Sequence, residues 1–287
     1  MLKRLALILA LCCTAWTHGD GVSIPVPAGA AAWGLTKLEA NFTFTNLNSV
    51  DVNNSGNCTY SWFTQVAWPT GSFAGDTPTP PGNISLNSNG MGLLVSTNGD
   101  NVSLQSIYGP GGTSWCGYVL DGTKKAYIEF NAAINIGLSS GNPHTTLWML
   151  PLTNFTTGTN PFVEDDIFEG VSSAETTNLH QWTNGGITAS LTSVCEIALT
   201  QVSDLNLHAY GRLIVPAALN SGTGLRQLYI DNVHQTGADL TYSATGPPNA
   251  CSDNNANGTF SSADTQYNII LGGPIISLNY VRVWVAP

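Results

Sequence analysis

Four carboxylates crowd into the run Val163-Glu164-Asp165-Asp166-Ile167-Phe168-Glu169, in a chain of 287 residues that has only 18 Asp plus Glu. Two carboxyl groups held close can divide the work of glycoside hydrolysis. One stays ionised and attacks; the other stays protonated and donates. Read as a strand, the run puts Glu164 and Asp166 on one face, because side chains alternate. Strict alternation turns Glu169 the other way. One β-bulge near Ile167–Phe168 restores it to the shared face. Glu164 and Glu169 are then about 13 Å apart between Cα atoms. Side chains leaning inward close this toward the roughly 5 Å that retaining hydrolysis uses. Crowded negative charge raises the pKa of the least stabilised carboxyl. Asp166 can therefore share a proton with Glu164 and orient it, leaving Glu169 as general acid and later base. The competing readings are a calcium site and a solvated acidic edge. Calcium loops favour Asp with Gly at the turn, whereas this run embeds Ile and Phe and has no Gly inside it.

Other residues suit a sugar. Trp148, Trp182, Trp115, Trp62 and Trp68 are candidate platforms, since indole packs against the C–H faces of sugar rings; core packing is the equal alternative for each. Trp148 and Trp182 flank the carboxylate run in sequence. His180 is a candidate contact to sugar or to Asp166. His18, His144, His208 and His234 have no metal-ligand spacing, and no Gly-x-Ser-x-Gly elbow is present.

The elements that must position these groups read as strands. In 126–136, Ile128, Phe130, Ala132, Ile134 and Ile136 share one face, opposite Tyr127, Glu129, Asn131 and Asn135. In 225–231, Arg226, Leu228 and Ile230 oppose Leu225, Gln227, Tyr229 and Asp231. Val281, Val283 and Val285 alternate with Tyr280, Arg282 and Trp284. Further strands are expected at 90–97, 101–108, 145–151, 163–169, 186–191, 208–215 and 266–271. Many short alternating strands between Gly, Asn and Pro clusters predict a sandwich or jelly roll. The mixed polar and aromatic second faces suit a concave sheet that cups a sugar polymer, which makes Glu129 a further candidate substrate contact.

Composition narrows the partners. The formal net charge is -10, with eight Lys plus Arg. That excludes a nucleic-acid or anionic-membrane binder and suits a neutral polymer. Lys3 and Arg4 followed by the apolar Leu5–Ala15 read as a signal peptide over 1–19, too short to span a bilayer. Residues 20–34 read as a flexible leader and 35–287 as one domain. Cys58, Cys116, Cys195 and Cys251 would remain in the exported chain. Three pairings are possible; Cys58–Cys116 with Cys195–Cys251 is favoured.

Several segments then resemble glycoside hydrolase family 16, in the bulged form of laminarinases, agarases and carrageenases. Glu164 to Glu169 is similar to its active-site strand. Lys125–Phe130, Leu147–Pro151, His208–Gly211, Leu228–Asp231 and Asn279–Trp284 resemble further family segments in order. The resemblance covers roughly residues 90–286. It implies an all-β, concanavalin-A-like β-jelly-roll sandwich with a concave substrate cleft. Glu164 becomes the nucleophile, Asp166 its assisting carboxylate and Glu169 the acid/base. It implies a secreted, monomeric retaining endo-hydrolase of a β-linked polysaccharide, β-1,3- or β-1,3/1,4-glucan first, with no cofactor and a structural calcium left open. A transglycosylase and a non-catalytic lectin-like protein are the alternatives; an alginate-lyase-like jelly roll would want more cations. The chain also departs from the family pattern. Val163 replaces a Gly, Asn131 an Arg, His144 a Trp and Asn279 an Asp. Asp165 replaces an Ile whose side chain would face the core, so it needs a partner or local exposure.

Overall fold

The computed structural model describes residues 23–53, 55, 57–63, 77–78, 83–87, 92–95, 102–105, 107–108, 116–134, 144–151, 162–171, 174–183, 190–200, 205–243, 266–273 and 275–287. The expected signal peptide, Trp68 and Trp115 lie outside these residues, as do the side chains of Cys116, His144 and Cys251.

Two large, mainly antiparallel sheets form a β-jelly-roll sandwich. The first runs Val233–His234, Thr223–Ile230, Leu207–Val215, Ala126–Ile134, Ile275–Val285, Leu93–Val95 and Ile84–Leu86. The second runs Ser190–Ala198, Ala174–Thr183, Phe162–Val171, His144–Pro151, Gln266–Gly272, Val102–Gln105, Trp62–Phe63 and Val50–Asp51. Period-2 patterning explains the layering. Ile128, Phe130, Ala132 and Ile134 from the first sheet meet Leu147, Met149, Ile167, Phe168 and Leu179 from the second in one buried core. Trp62 is fully buried in that core. Its ring is edge-on to Phe42 and Phe44, with centroids at 5.3 and 5.7 Å. It is therefore a packing residue and not a sugar platform.

The segment expected to be a flexible leader is packed against the first sheet through Ile24, Val26, Ala30 and Trp33. Its short helix, Ala28–Ala31, and Leu35 cover the outer face of the first sheet. Ala30 and Leu35 are buried there against Tyr127, Leu213, Val215, Tyr229 and Trp284. The outer face of this sheet is apolar in its upper rows and needs a cover. The approach is close: a Cβ at Gly29 would lie 2.6 Å from Tyr127 Cε2 and 2.9 Å from Tyr229 Cζ. No helix among the described residues is long and apolar enough to cross a membrane.

Gly29→Ala is expected to destabilise the fold by about 1–3 kcal/mol, because two rigid rings must yield. Chemical denaturation measures it; an unchanged midpoint would show that the segment does not pack there.

Candidate carboxylate site on the second sheet

The strand Phe162–Val171 lies between His144–Pro151 and Ala174–Thr183. On one side Leu147 opposes Phe168 and Trp148 opposes Asp166, so Ile167 is extra. On the other side Asp166 opposes Asn178 and Glu169 opposes Thr176, two residues standing against Thr177 alone. Ile167 and Phe168 both go into the core. Asn178 and Thr176 are two apart on one strand and share a face, so their partners do too. The bulge thus brings Glu164, Asp166 and Glu169 to the outer face of the second sheet.

Neighbouring strands hold the three carboxyls. Trp182 Nε1 donates to Glu164 Oε2 at 2.5 Å. Asn178 Nδ2 donates to Glu169 Oε2 at 2.5 Å and to Thr176 Oγ1 at 3.1 Å. His180 Nδ1 lies 3.4 Å from Asp166 Oδ2 and 4.0 Å from Glu164 Oε2. Asp166 is the most buried of the trio, at 2% exposure, and its Oδ1 has no hydrogen-bond partner. Asn178 Oδ1, on the directly paired residue, has none either. Burial, with Asp165 adding negative charge nearby, pushes the Asp166 carboxyl up to about 7, against the pull of Arg212, Asn178 and Glu164. Burial lowers the His180 pKa, partly offset by Glu169 and Glu196, which favours the neutral imidazole.

Asp165 points the other way, into the sandwich, and is 1% exposed. Its Oδ1 accepts from Arg212 Nε at 2.9 Å and Nη2 at 2.5 Å, and its Oδ2 accepts from Arg226 Nε at 2.7 Å. Both arginines come from the opposite sheet. The sequence demands a partner for Asp165 but does not name one. The signal was present, because Arg226 shares a face with the core residues Leu228 and Ile230, and Arg212 with Tyr210 and Ile214. Asn178 was missed because its strand was not recognised.

Of the expected sugar contacts, Trp148 sits on the site face beside Asp166, buried, with Nε1 unpartnered. Trp182 and His180 are on the adjacent strand, their rings edge-on at 6.5 Å. Glu129 is a correction. It lies on the outer face of the first sheet, across the core from the trio, because Ile128 and Phe130 on either side of it face inward. There it accepts from Tyr280 Oη at 2.5 Å, and burial raises its pKa.

No protein-family model matches the chain, and no curated protein matches it. Solved structures similar to it include a Bacillus licheniformis β-glucanase, 15% identical, covering 88% of this chain and 100% of that chain with a TM-score of 0.44. A prokaryotic β-1,3-1,4-glucanase (lichenase) derived from a mouse hindgut metagenome is 10% identical, covering 86% of this chain and 99% of that one, TM-score 0.44. Sheep galectin-11 in complex with glycerol is 10% identical, covering 58% of this chain and 96% of that one, TM-score 0.33. The likeness is one of fold. The function has to be read from the side chains.

Two places invite a metal. One donor atom each from Glu164, Asp166 and His180 lie within 4.8 Å of one another. The Trp182 N–H already points at Glu164 Oε2, so a cation bound there would compete with that donor. At Asn279, Nδ2 donates to Asn131 Oδ1 at 3.0 Å, and Oδ1 accepts from Ser277 Oγ at 3.2 Å. Asn87 Nδ2 donates to Ser277 Oγ at 3.0 Å. This chain of neutral groups supplies no carboxylate and suits Ca²⁺ poorly.

A carboxyl whose pKa rises on folding favours the folded state while it keeps its proton. The Asp166 contribution is complete below its ordinary value of 3.8, declines as pH rises, and is gone above about 7. Asp166→Asn is expected to flatten the slope of unfolding free energy between pH 4 and 7. Denaturant titrations across that range check it; an unchanged slope would mean that Asp166 is ionised throughout.

Proposed function

We propose that this chain is a secreted, retaining endo-glycoside hydrolase of the family 16 type, acting on a β-linked polysaccharide, β-1,3- or β-1,3/1,4-glucan first. The bulge carries the reading. It sets three carboxyls on one outer sheet face, each with a neighbour that holds it. Simple sugar binding gives no reason to crowd three carboxyls in this way. In the proposed reaction Glu164 attacks the anomeric carbon as the glycosidic C–O bond breaks, and Glu169 gives its proton to the leaving oxygen. Glu169 then takes a proton from water, which displaces Glu164 with configuration retained. The Trp182 indole and the Asn178 amide orient these two groups. Burial favours the protonated form of Asp166, which relieves repulsion beside Glu164. Trp148 stands beside Asp166 on the same sheet face.

The acidic chain, with net charge -10, favours a neutral polymer over nucleic acid, an anionic membrane or a sulfated glycan. Cys58 and Cys195 are disulfide-bonded, which supports export into an oxidising compartment. Pairing with Cys116 and Cys251 respectively is part of this proposal, as is a monomer working without cofactor. The neutral network at Asn279 supports a fold independent of calcium, so chelator should leave the melting temperature unchanged; a calcium-dependent rise of several degrees would overturn that part.

Reducing-sugar release from a panel of polysaccharides tests the activity. Glu169→Gln is expected to lower kcat on the cleaved glucan by about 10²–10⁴-fold, and Glu164→Gln to abolish turnover, while both still bind the polymer. Wild-type rates in either variant would refute the mechanism. Wild-type protein that binds glucan and releases no ends would be a lectin-like protein.

A further inference from the structure

The Arg212–Asp165–Arg226 group has a placement that packing does not explain. It is buried between the sheets, directly behind the carboxylate row. Replacing such a group by apolar residues is often neutral or stabilising, so stability alone gives no reason to keep it. Arg212 reaches past Asp165, and its Nη2 also donates to the main-chain oxygen of Asp166 at 3.3 Å. That oxygen belongs to the last residue before the bulge, and Thr177 Oγ1 donates to it from the neighbouring strand at 3.0 Å. The guanidinium therefore touches both the buried acid and the backbone where the register changes.

We propose that the Arg212–Asp165–Arg226 triad is a positioning device for the carboxylate site: it clamps the start of the bulge and sets the electrostatic field beneath Asp166. The proposal rests on the glycosidase reading for its purpose, but not for its physics. Among the described residues, the charged and titratable groups around Asp166 are Glu164, Asp165 and Glu169 on its own strand, His180 and, farther out, Glu196 from the next two strands, and Arg212 with Arg226 from the opposite sheet. Within this set Asp165 and Arg212 act on Asp166 with opposite sign.

The test follows the Asp166 titration by ¹³C NMR of its carboxyl carbon, together with kcat, KM and their pH profiles. Asp165→Asn should move the Asp166 midpoint down and Arg212→Met should move it up, each by roughly one pH unit. A third variant, Asp165→Leu with Arg212→Met and Arg226→Met, replaces the whole triad by apolar residues. It should fold with an unchanged or higher melting temperature, yet lose roughly 10- to 100-fold in kcat with KM little changed, because the row is no longer held in register. Midpoints that stay put or move in the same direction, or a folded triple variant with the wild-type kcat and pH profile, would overturn the proposal. If the single variants fail to fold, the triple variant decides. If the wild-type chain cleaves no polysaccharide, the glycosidase reading fails, and the opposed NMR shifts still decide whether the triad acts on Asp166.

Discussion

One extra residue, Ile167, decides which side of the second sheet Glu169 occupies. In a regular strand Glu169 would enter the core, where an unpaired carboxylate costs several kcal/mol or takes up a proton. With the bulge, Ile167 and Phe168 both fill the core and Glu169 emerges beside Asp166. The same local change buries two large apolar side chains and gathers three carboxyls on one face, so packing and the proposed chemistry favour one register. Both flanking strands respect it, Trp148 pairing Asp166 on one side and Asn178 on the other.

The carboxyl row is then differentiated by what stands around it. Glu164 has the indole N–H of Trp182, and Glu169 has the amide of Asn178. Asp166 has burial and an unpartnered oxygen, which favour its neutral form. Asp166 is thereby set apart in protonation from the two groups, Glu164 and Glu169, to which the proposed attack and proton donation are assigned. Behind them the buried ion triad links the row to the opposite sheet.

Much of this was legible in the sequence. Alternation in 126–136 and 279–285 identified both core strands, and counting through Glu164–Glu169 located the bulge. Where both faces of a strand are polar, the signal vanished. Ala174–Thr183 carries Glu175 and Thr177 on one side and Thr176, Asn178 and His180 on the other, so no period-2 hydrophobic pattern marks it, and Asn178 went unseen. Glu129 was misplaced because a polar alternate face does not tell which of two sheets it belongs to. Residues 20–34 were read as a leader because small residues and Pro resemble a linker until Tyr127, Tyr229 and Trp284 supply a surface to cover. Asp165 was flagged as needing a partner, but only the fold brings Arg212 and Arg226 across to it.

The most direct test of the central claim is covalent trapping with an activated 2-fluoro glycoside of a β-linked glucose disaccharide, followed by peptide mass mapping. The account predicts one glycosyl adduct on Glu164, accumulating further when Glu169 is Gln. An adduct on Glu169 or on a carboxylate outside the row, or glucan cleavage that proceeds without any carboxylate adduct, would contradict it.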